Sequence, residues 1–328
     1  MSKYFLWFAS AGSCFMMVAV ASGADLRIGI VGCDTSHATA FTKLFNDPDA
    51  TNYVAGGKVV AAFKGGSPDI GESRSRMDGY VKQLQEKFGV KMMDSVEDLC
   101  KEVDVVLLES LDGRPKLEQV RPIIKAGKPV FIDKPVAASL KDVIRIDRLA
   151  RENHVPWFSS SAYRYYECME DVKTNDVGQI RSAISYGPCE LEPHHPDLFW
   201  YGIHPTEALF TVMGAGCESV TRTATPVTDV VTGTWSDGRV GTLIGQRKAS
   251  GHKVIVFGSK GIAEQKGDGD YAPLVREIMK FFQTGIAPVS NAETVEIYAF
   301  MEAADESKRE GGKPVKISDV MKKNSAVP

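Results

Sequence analysis

The chain has 328 residues, of which 43% are apolar and 25% charged, and its formal net charge is −3. This length suits two domains, and the composition is that of a globular protein. The slightly acidic balance provides no basic surface, which argues against nucleic acid as a partner.

Residues 1–24 have the pattern of a general secretory (Sec-type) signal peptide. Lys3 provides the positive start, residues 4–20 are mostly apolar, and Ser22, Gly23 and Ala24 form a small-residue cleavage site. We therefore expect cleavage after Ala24 and an exported protein, periplasmic or secreted, without stable membrane insertion. An uncleaved anchor remains the alternative, although the apolar run is at the short end for spanning a bilayer.

Cysteine usage gives no disulfide framework. Removal of Cys14 with the signal leaves five cysteines, an odd number with no C-x-x-C spacing. One pair, such as Cys168 with Cys189, remains open in an oxidising compartment.

Residues 26–37 predict a strand, a tight turn and the start of a helix, which is how a doubly wound nucleotide-binding domain begins. Short apolar strands and helical patterns then alternate to residue 157. The run Val103–Leu108 is too continuously apolar for a half-exposed strand and predicts a buried parallel one. We expect residues 25–157 to form a Rossmann-like domain, with a parallel sheet covered by helices.

The pattern changes after Trp157. Strands with alternating apolar residues lie close together and are separated by short turns, as in an antiparallel sheet. We predict strands at 181–186, 220–225, 229–235, 239–246 and 252–257, and helices at 167–174, 204–213, 274–283 and 292–309. Residues 158–328 are thus expected to be an α+β substrate and oligomerisation domain with a largely antiparallel open sheet.

The turn after the first strand departs from the G-x-G-x-x-G fingerprint, which requires glycines at 32, 34 and 37. Only Gly32 is present, and Asp34 and His37 occupy the other two places. Asp34 brings a side chain and a negative charge to the usual pyrophosphate contact, so we expect weakened dinucleotide binding. Thr35, Ser36 and His37 can still contact a phosphate at the helix start. An N-cap role for Asp34 is the alternative.

The second strand is followed by Phe63-Lys-Gly-Gly-Ser67, which lacks a carboxylate for a ribose hydroxyl. Lys64 tolerates a 2′-phosphate there, so NADP is as plausible a cofactor as NAD.

The loop 190–197 contains two histidines and several acidic residues, but its spacing matches no ligand motif. We therefore predict no metal site.

Three stretches resemble one known family. They are Ala126-Gly-Lys-Pro-Val-Phe-Ile-Asp-Lys-Pro135, Phe199-Trp-Tyr-Gly-Ile-His204 and Glu302-Ala-Ala-Asp-Glu-Ser307. From about residue 26 to residue 317 the chain resembles the Gfo/Idh/MocA oxidoreductases, named after glucose–fructose oxidoreductase and inositol dehydrogenase. In the first stretch, Asp133 stands where the family has glutamate and keeps the carboxylate.

The resemblance implies roles for several residues. Lys134 would lie between nicotinamide and substrate and polarise the reacting hydroxyl, and His204 would take its proton. Glu207, one helical turn later, would orient His204. The resemblance also implies that Asp133 and Pro135 contact the cofactor, with a cis peptide before Pro135. It implies that Tyr163, Arg164 and Glu207 contact the substrate. For Arg164 an interface salt bridge is an equal alternative.

The leading hypothesis is an NAD(P)-dependent oxidoreductase acting on a hydroxyl of a sugar, cyclitol or related polyol, and forming a homo-oligomer. The altered glycine turn and the predicted export favour a second hypothesis, a redox-inactive sugar-binding protein of the same fold. A third is a lyase or hydrolase that uses a tightly bound nicotinamide transiently.

Overall fold

The structure is a computed structural model that describes residues 24–325. Residues 1–23 of the predicted export signal lie outside the described residues, so the signal stays a prediction. Between residues 24 and 325, no helix combines the length and the apolar character needed to cross a bilayer.

The first half of the described chain alternates strands and helices. Its elements are β1 (Leu26–Val31), α1 (Ser36–Asn46), β2 (Gly57–Phe63), α2 (Gly71–Phe88), β3 (Lys91–Met93), α3 (Val96–Glu102), β4 (Val105–Leu108), α4 (Lys116–Lys125), β5 (Val130–Ile132), α5 (Leu140–Glu152) and β6 (Trp157–Phe158). The six strands form one parallel sheet in the order β3-β2-β1-β4-β5-β6. The predicted Rossmann-like domain is confirmed, and its strand order reverses between β1 and β4, where such folds bind ligands.

Local sequence explains these elements. All of β4 is buried, as its continuous apolar run predicts. The hydroxyls of Ser95 and Ser139 cap α3 and α5, and Gly89 ends α2 in the left-handed conformation. Helix α2 begins at Gly71, but its first two turns are largely polar and exposed, so its apolar pattern starts only at Met77.

The second half begins with α6 (Glu167–Thr174). It continues with β7 (Ile180–Pro188), α7 (Ile203–Met213), β8 (Cys217–Ala224), β9 (Thr228–Trp235), β10 (Val240–Gln246), β11 (Lys253–Gly258), β12 (Ile262–Glu264), α8 (Ala272–Thr284), α9 (Asn291–Arg309), β13 (Val315–Lys316) and α10 (Ile317–Ser325). The sheet order is β12-β11-β7-β10-β9-β8-β13, antiparallel except between β7 and β10. The prediction of a largely antiparallel sheet is confirmed.

Helix α9 joins the two halves. It packs against β8 on one side and α5 on the other, and most of its residues are buried in a hydrophobic core that extends through both halves. The Tyr298 hydroxyl oxygen of α9 accepts a hydrogen bond from the Val136 N–H of the first domain at 2.6 Å. The helix thereby fixes the loop after β5 relative to the second sheet.

A buried arginine holds the second domain together. Arg222 on β8 is 2% exposed and binds Asp229 on β9 at 2.7 Å, Asp305 on α9, and Asp197 at 2.9 Å. Burial raises the pKa of Asp305 to about 7 despite the adjacent guanidinium. Arg222 therefore joins the two strands and the helix through three carboxylates.

The cysteines do not pair. Cys33, Cys100, Cys168, Cys189 and Cys217 are all free and buried. The pairing of Cys168 with Cys189, which the sequence left open, is not present in the described residues.

Candidate active site

Lys134 lies at the carboxyl end of β5, before a cis peptide to Pro135, as the resemblance implies. Its backbone N–H donates to Asp133 Oδ1 at 2.8 Å, and the Asp133 carbonyl accepts from Lys116 Nζ at 2.5 Å. These bonds and the Tyr298 contact at Val136 fix the backbone that carries the lysine.

The Lys134 side chain is 9% exposed, and its Nζ has no hydrogen bond or ion pair within residues 24–325. The nearest ring is that of Tyr201, whose centre is 5.8 Å from Nζ. Burial lowers the pKa of Lys134. Because Nζ has no partner in the described chain and is not sealed from solvent, it is free to hydrogen-bond a ligand.

His204, in the first turn of α7, also contacts Tyr201. The two ring centres are 5.2 Å apart, and His204 Nδ1 is 2.8 Å from Ser161 Oγ. Nε2 has no hydrogen-bond partner in the described chain and is not sealed from solvent. Burial and the Lys134 charge hold the pKa of His204 well below its usual range, so the ring is neutral. The structure thus brings both predicted catalytic residues to one place.

Glu207 does not orient His204, so that expectation is corrected. Its carboxylate lies 2.9 Å from Arg164 Nη2, and Glu293 lies 2.8 Å from the same nitrogen. Both sides of the Arg164–Glu207 pair are nearly sealed. These contacts favour the salt-bridge alternative for Arg164. Because Arg164 and Glu207 already neutralise each other's charge, neither is free to bind substrate. Ser161 takes the orienting role predicted for Glu207.

Tyr163 remains a candidate substrate contact. Its ring centre is 5.0 Å from that of His204 and 3.5 Å from that of His252, on which it stacks. The rings of Tyr163 and Tyr201 thus both lie next to the His204 ring.

The turn after β1 is built differently from the N-cap expectation. Thr35, not Asp34, caps α1, and its hydroxyl accepts the His37 N–H. Asp34 is fully buried and accepts hydrogen bonds from the Leu111 N–H at 3.0 Å and the Ser73 hydroxyl at 2.6 Å. The carboxylate therefore joins the loops after β1 and β4 to the start of α2.

More contacts close the same edge of the sheet. The Ser67 hydroxyl donates to Asp112 at 2.5 Å, and Ile70, Leu111 and Trp200 form a small apolar cluster. A dinucleotide that crosses the carboxyl ends of β1 and β4 has to displace these contacts. The closed arrangement adds to the charge of Asp34 a second physical reason to expect weak dinucleotide binding.

His37 contacts Asp133 at the end of β5, which is two strands away from β1 in the sheet. Its Nδ1 is 2.6 Å from Asp133 Oδ2, and both side chains are buried. Ser36 is exposed next to it. Thr35, Ser36 and His37 all lie at the helix start as predicted, and their cofactor contacts stay a prediction.

A groove of about 230 Å³ follows β2 and is lined by Lys64, Ser67, Ser73, Arg74 and Asp78, among others. Lys64 Nζ donates to Asp78 at 2.8 Å, and the ion pair is exposed. Two cations beside a ribose position are compatible with a 2′-phosphate, so the structure leaves NADP open beside NAD.

Two buried ionisable residues near Asp133, Lys116 and Glu109, were not singled out from the sequence. Lys116 is fully buried, and burial lowers its pKa to about 8. Both Glu109 carboxylate oxygens lack partners within the described chain, and burial raises the pKa of Glu109 well above its usual value. A glutamate directly after the apolar run of β4 was a readable signal. No sequence signal indicated that Lys116 is buried, because the apolar pattern of α4 is the same whether or not Lys116 faces the core.

Together these features define the class of protein. A doubly wound sheet, a polar crevice at its switch point and a buried lysine–histidine pair across two domains are the features of a nucleotide-dependent α/β enzyme.

Comparison with known proteins gives a family match for the first domain. Residues 26–160 match the model of the oxidoreductase family with an NAD-binding Rossmann fold, GFO_IDH_MocA. Over these residues the match agrees with the resemblance read from the sequence.

Solved structures of similar fold cover nearly the whole chain. Myo-inositol 2-dehydrogenase from Lactobacillus plantarum has a TM-score of 0.72 and 17% identity, covering 89% of this chain and 99% of that one. Scyllo-inositol dehydrogenase from Lactobacillus casei, solved with NAD(H) and scyllo-inositol, has a TM-score of 0.69 and 15% identity, covering 90% and 100%. At these identities the likeness shows the fold of both domains.

An uncharacterised oxidoreductase of Streptococcus pneumoniae is 24% identical over 165 residues, which are 44% of this chain and 43% of the relative. A yeast protein, YMR315W of Saccharomyces cerevisiae, is 23% identical over 162 residues, 49% of this chain and 42% of its own length. The chain thus spans less than half the length of these curated relatives.

Replacing Asp34 by glycine is expected to tighten dinucleotide binding about tenfold or more, since it removes a like charge and the contacts to Ser73 and Leu111. Calorimetric titration with NAD and NADP measures the change. The matched control is Ser73→Ala, which breaks the contact to α2 but keeps the carboxylate. If only Asp34→Gly binds the dinucleotide more tightly, the charge of Asp34 is what weakens binding. If Ser73→Ala also binds more tightly, the contact between Asp34 and α2 is what weakens it. Weaker binding by Asp34→Gly would mean that Asp34 is a constructive part of the site.

Proposed function

We propose that this chain is an NAD(P)-dependent dehydrogenase that acts on a hydroxyl of a sugar, cyclitol or related polyol. The observation that carries the proposal is that the Lys134 ammonium and His204 Nε2 both lack a partner in the described chain and both side chains lie next to the Tyr201 ring. The NAD-binding family of the first domain supports the reaction class. The inositol dehydrogenases among the proteins of similar fold support the substrate class.

The unpartnered groups fit a nicotinamide and a substrate hydroxyl at Lys134 and His204, and the loops after β1 and β4 must part for the phosphates. When bound, the nicotinamide ring supplies the hydride acceptor or donor. Lys134 donates a hydrogen bond to the reacting oxygen and stabilises negative charge as it develops there. Neutral His204 offers Nε2 to the same hydroxyl while Nδ1–H donates to Ser161. Tyr163 and Tyr201 limit the access of water.

The test is turnover. Purified protein is incubated with NAD or NADP and a panel of myo-inositol, scyllo-inositol, glucose and galactose, and the absorbance of reduced nicotinamide is followed. Formation of reduced nicotinamide with at least one panel member is expected. A protein that binds a panel sugar but no dinucleotide would be the redox-inactive binding protein, which the buried Asp34 favours. Consumption of a sugar without net reduced nicotinamide would indicate the lyase or hydrolase alternative.

We also propose that the protein is exported. The tripartite pattern of residues 1–24 supports this location. N-terminal sequencing of the protein from its producing cell is expected to begin at Asp25. An intact Met1 or Ser2 on cytoplasmic protein would contradict the proposal.

Self-association through the second sheet is proposed as well. Its outer face carries an apolar groove of about 530 Å³ lined by Ile184, Tyr186, Ile244 and Ile255, among others. Exposed apolar area of this kind is typical of protein interfaces. Light scattering on the purified protein is expected to give a mass of at least two chains. A monomer at micromolar concentration would contradict the proposal.

A further inference from the structure

The loop between β7 and α7 closes over the first domain. It belongs to the second domain, and its residues 192–201 contact the loops that follow β2 and β4. In the first sheet, β1 lies between β2 and β4. These contacts therefore flank the turn after β1, where a doubly wound fold receives the phosphates of a dinucleotide. The two adjacent histidines of the loop have no part in the proposed reaction.

His195 forms the buried half of this contact. Its ring is sealed from solvent, and Nε2 lies 3.1 Å from Asp112 Oδ1 and 3.1 Å from the Gly113 backbone nitrogen. Burial raises the pKa of Asp112, but hydrogen bonds, above all the one from His195, hold it below its usual range. The loop after β4 thus presents an ionised carboxylate to the second domain, and His195 covers it.

His194 forms the exposed half and reaches the loop after β2. Its Nε2 lies 3.5 Å from Asp69, and its Nδ1 lies 2.5 Å from Glu192 of the same loop. Arg114 binds Asp69 at 2.8 Å and Asp112 at 2.7 Å, so it joins the loops after β2 and β4. The two histidines therefore meet one connected set of charges in the first domain.

Apolar contacts complete the closure. Trp200 packs on the His195 ring, with ring centres 4.8 Å apart. It also forms an apolar cluster with Ile70 and Leu111 of the first domain, and Tyr201 packs against that cluster. Because this apolar surface is covered only while the two domains touch here, its burial stabilises the closed form.

We propose that residues 192–201 form a lid that must leave the loops after β2 and β4 before a dinucleotide can bind. This inference rests on the proposed function. Lid and dinucleotide compete because both need the carboxyl-end edge of β1 and β4. The apparent affinity for the dinucleotide is then the affinity of the open form reduced by the fraction of chains that are open. A change that weakens only the closed form is expected to tighten binding.

Hydrogen exchange measured by mass spectrometry tests the lid in the ligand-free mature protein. His195→Leu removes the polar contacts and keeps an apolar side chain, and Trp200→Leu weakens the apolar cluster. In both variants, peptides that cover 192–201 and 110–114 are expected to exchange faster than in the wild type, with the strands of both sheets unchanged. His154→Asn, at an exposed histidine just after α5, is the control and should exchange as the wild type does.

Calorimetric titration of the same proteins with NAD and NADP tests the competition. His195→Leu and Trp200→Leu are each expected to lower the dinucleotide Kd about tenfold, since each removes a contact made only by the closed lid. His154→Asn should leave Kd unchanged.

Three results would overturn the proposal. One is exchange at 192–201 that is unchanged in both variants. Another is faster exchange there with a dinucleotide Kd equal to that of the wild type, which contradicts the lid and leaves the proposed function intact. The third is absence of dinucleotide binding by all of these proteins even where exchange shows the lid released, which contradicts the proposed function as well.

Discussion

Replacing Lys134 by methionine is expected to lower kcat about 100-fold or more while the fold is preserved, because a positioned donor at the reacting oxygen is removed. Methionine has a similar length and no charge. Since the ammonium is buried without a partner in the described chain, its loss should leave the free energy of unfolding unchanged or raise it. Steady-state kinetics and urea unfolding measure the two quantities.

The control for this change is Lys125→Met, an exposed lysine at the end of α4. It should alter neither quantity. An unchanged kcat in Lys134→Met would remove the lysine from the mechanism. A parallel fall of kcat and stability would instead make it a structural residue.

Replacing Arg222 by methionine is expected to lower the free energy of unfolding by about 3–5 kcal/mol, because it leaves buried carboxylates without their cation. Asp229 is fully buried and Asp305 nearly so. Arg247, 2.5 Å from Asp229, compensates one of them in part, whereas Asp305 has no other cation as a direct partner in the described residues. Urea unfolding measures the loss.

Arg27→Met is the matched control, since the Arg27–Asp104 pair is exposed on both sides. Exposed pairs contribute about 0–1 kcal/mol, so this variant should unfold nearly as the wild type does. Equal losses in the two variants would show that burial of the Arg222 network adds nothing to stability.

Most of the fold could be predicted from sequence because its long elements carry strong periods. The buried run of β4, the hydroxyl caps of α3 and α5, and the alternation in β9 and β10 each determine local structure. Elements of two or three residues, such as β3 and β13, have no period to detect. Strands β3 and β13 form because the backbone N–H and C=O groups of β2 and β8 are available for hydrogen bonds at the sheet edges.

The site was harder to predict because its partners come from distant parts of the chain. Motif position located Lys134 and His204, but nothing near His204 identifies Ser161 as its partner rather than Glu207. The contact of His37 with Asp133 joins residues 96 positions apart. It follows from the parallel order of β1, β4 and β5, which places the ends of these strands at one edge.

The most direct test of the central claim is equilibrium titration of the wild-type mature chain with NAD, NADH, NADP and NADPH by calorimetry. We predict saturable binding of at least one of them, at one dinucleotide per chain, that is weaker than binding by Asp34→Gly. Absence of binding of all four dinucleotides to both proteins would contradict the oxidoreductase proposal and favour the redox-inactive sugar-binding protein.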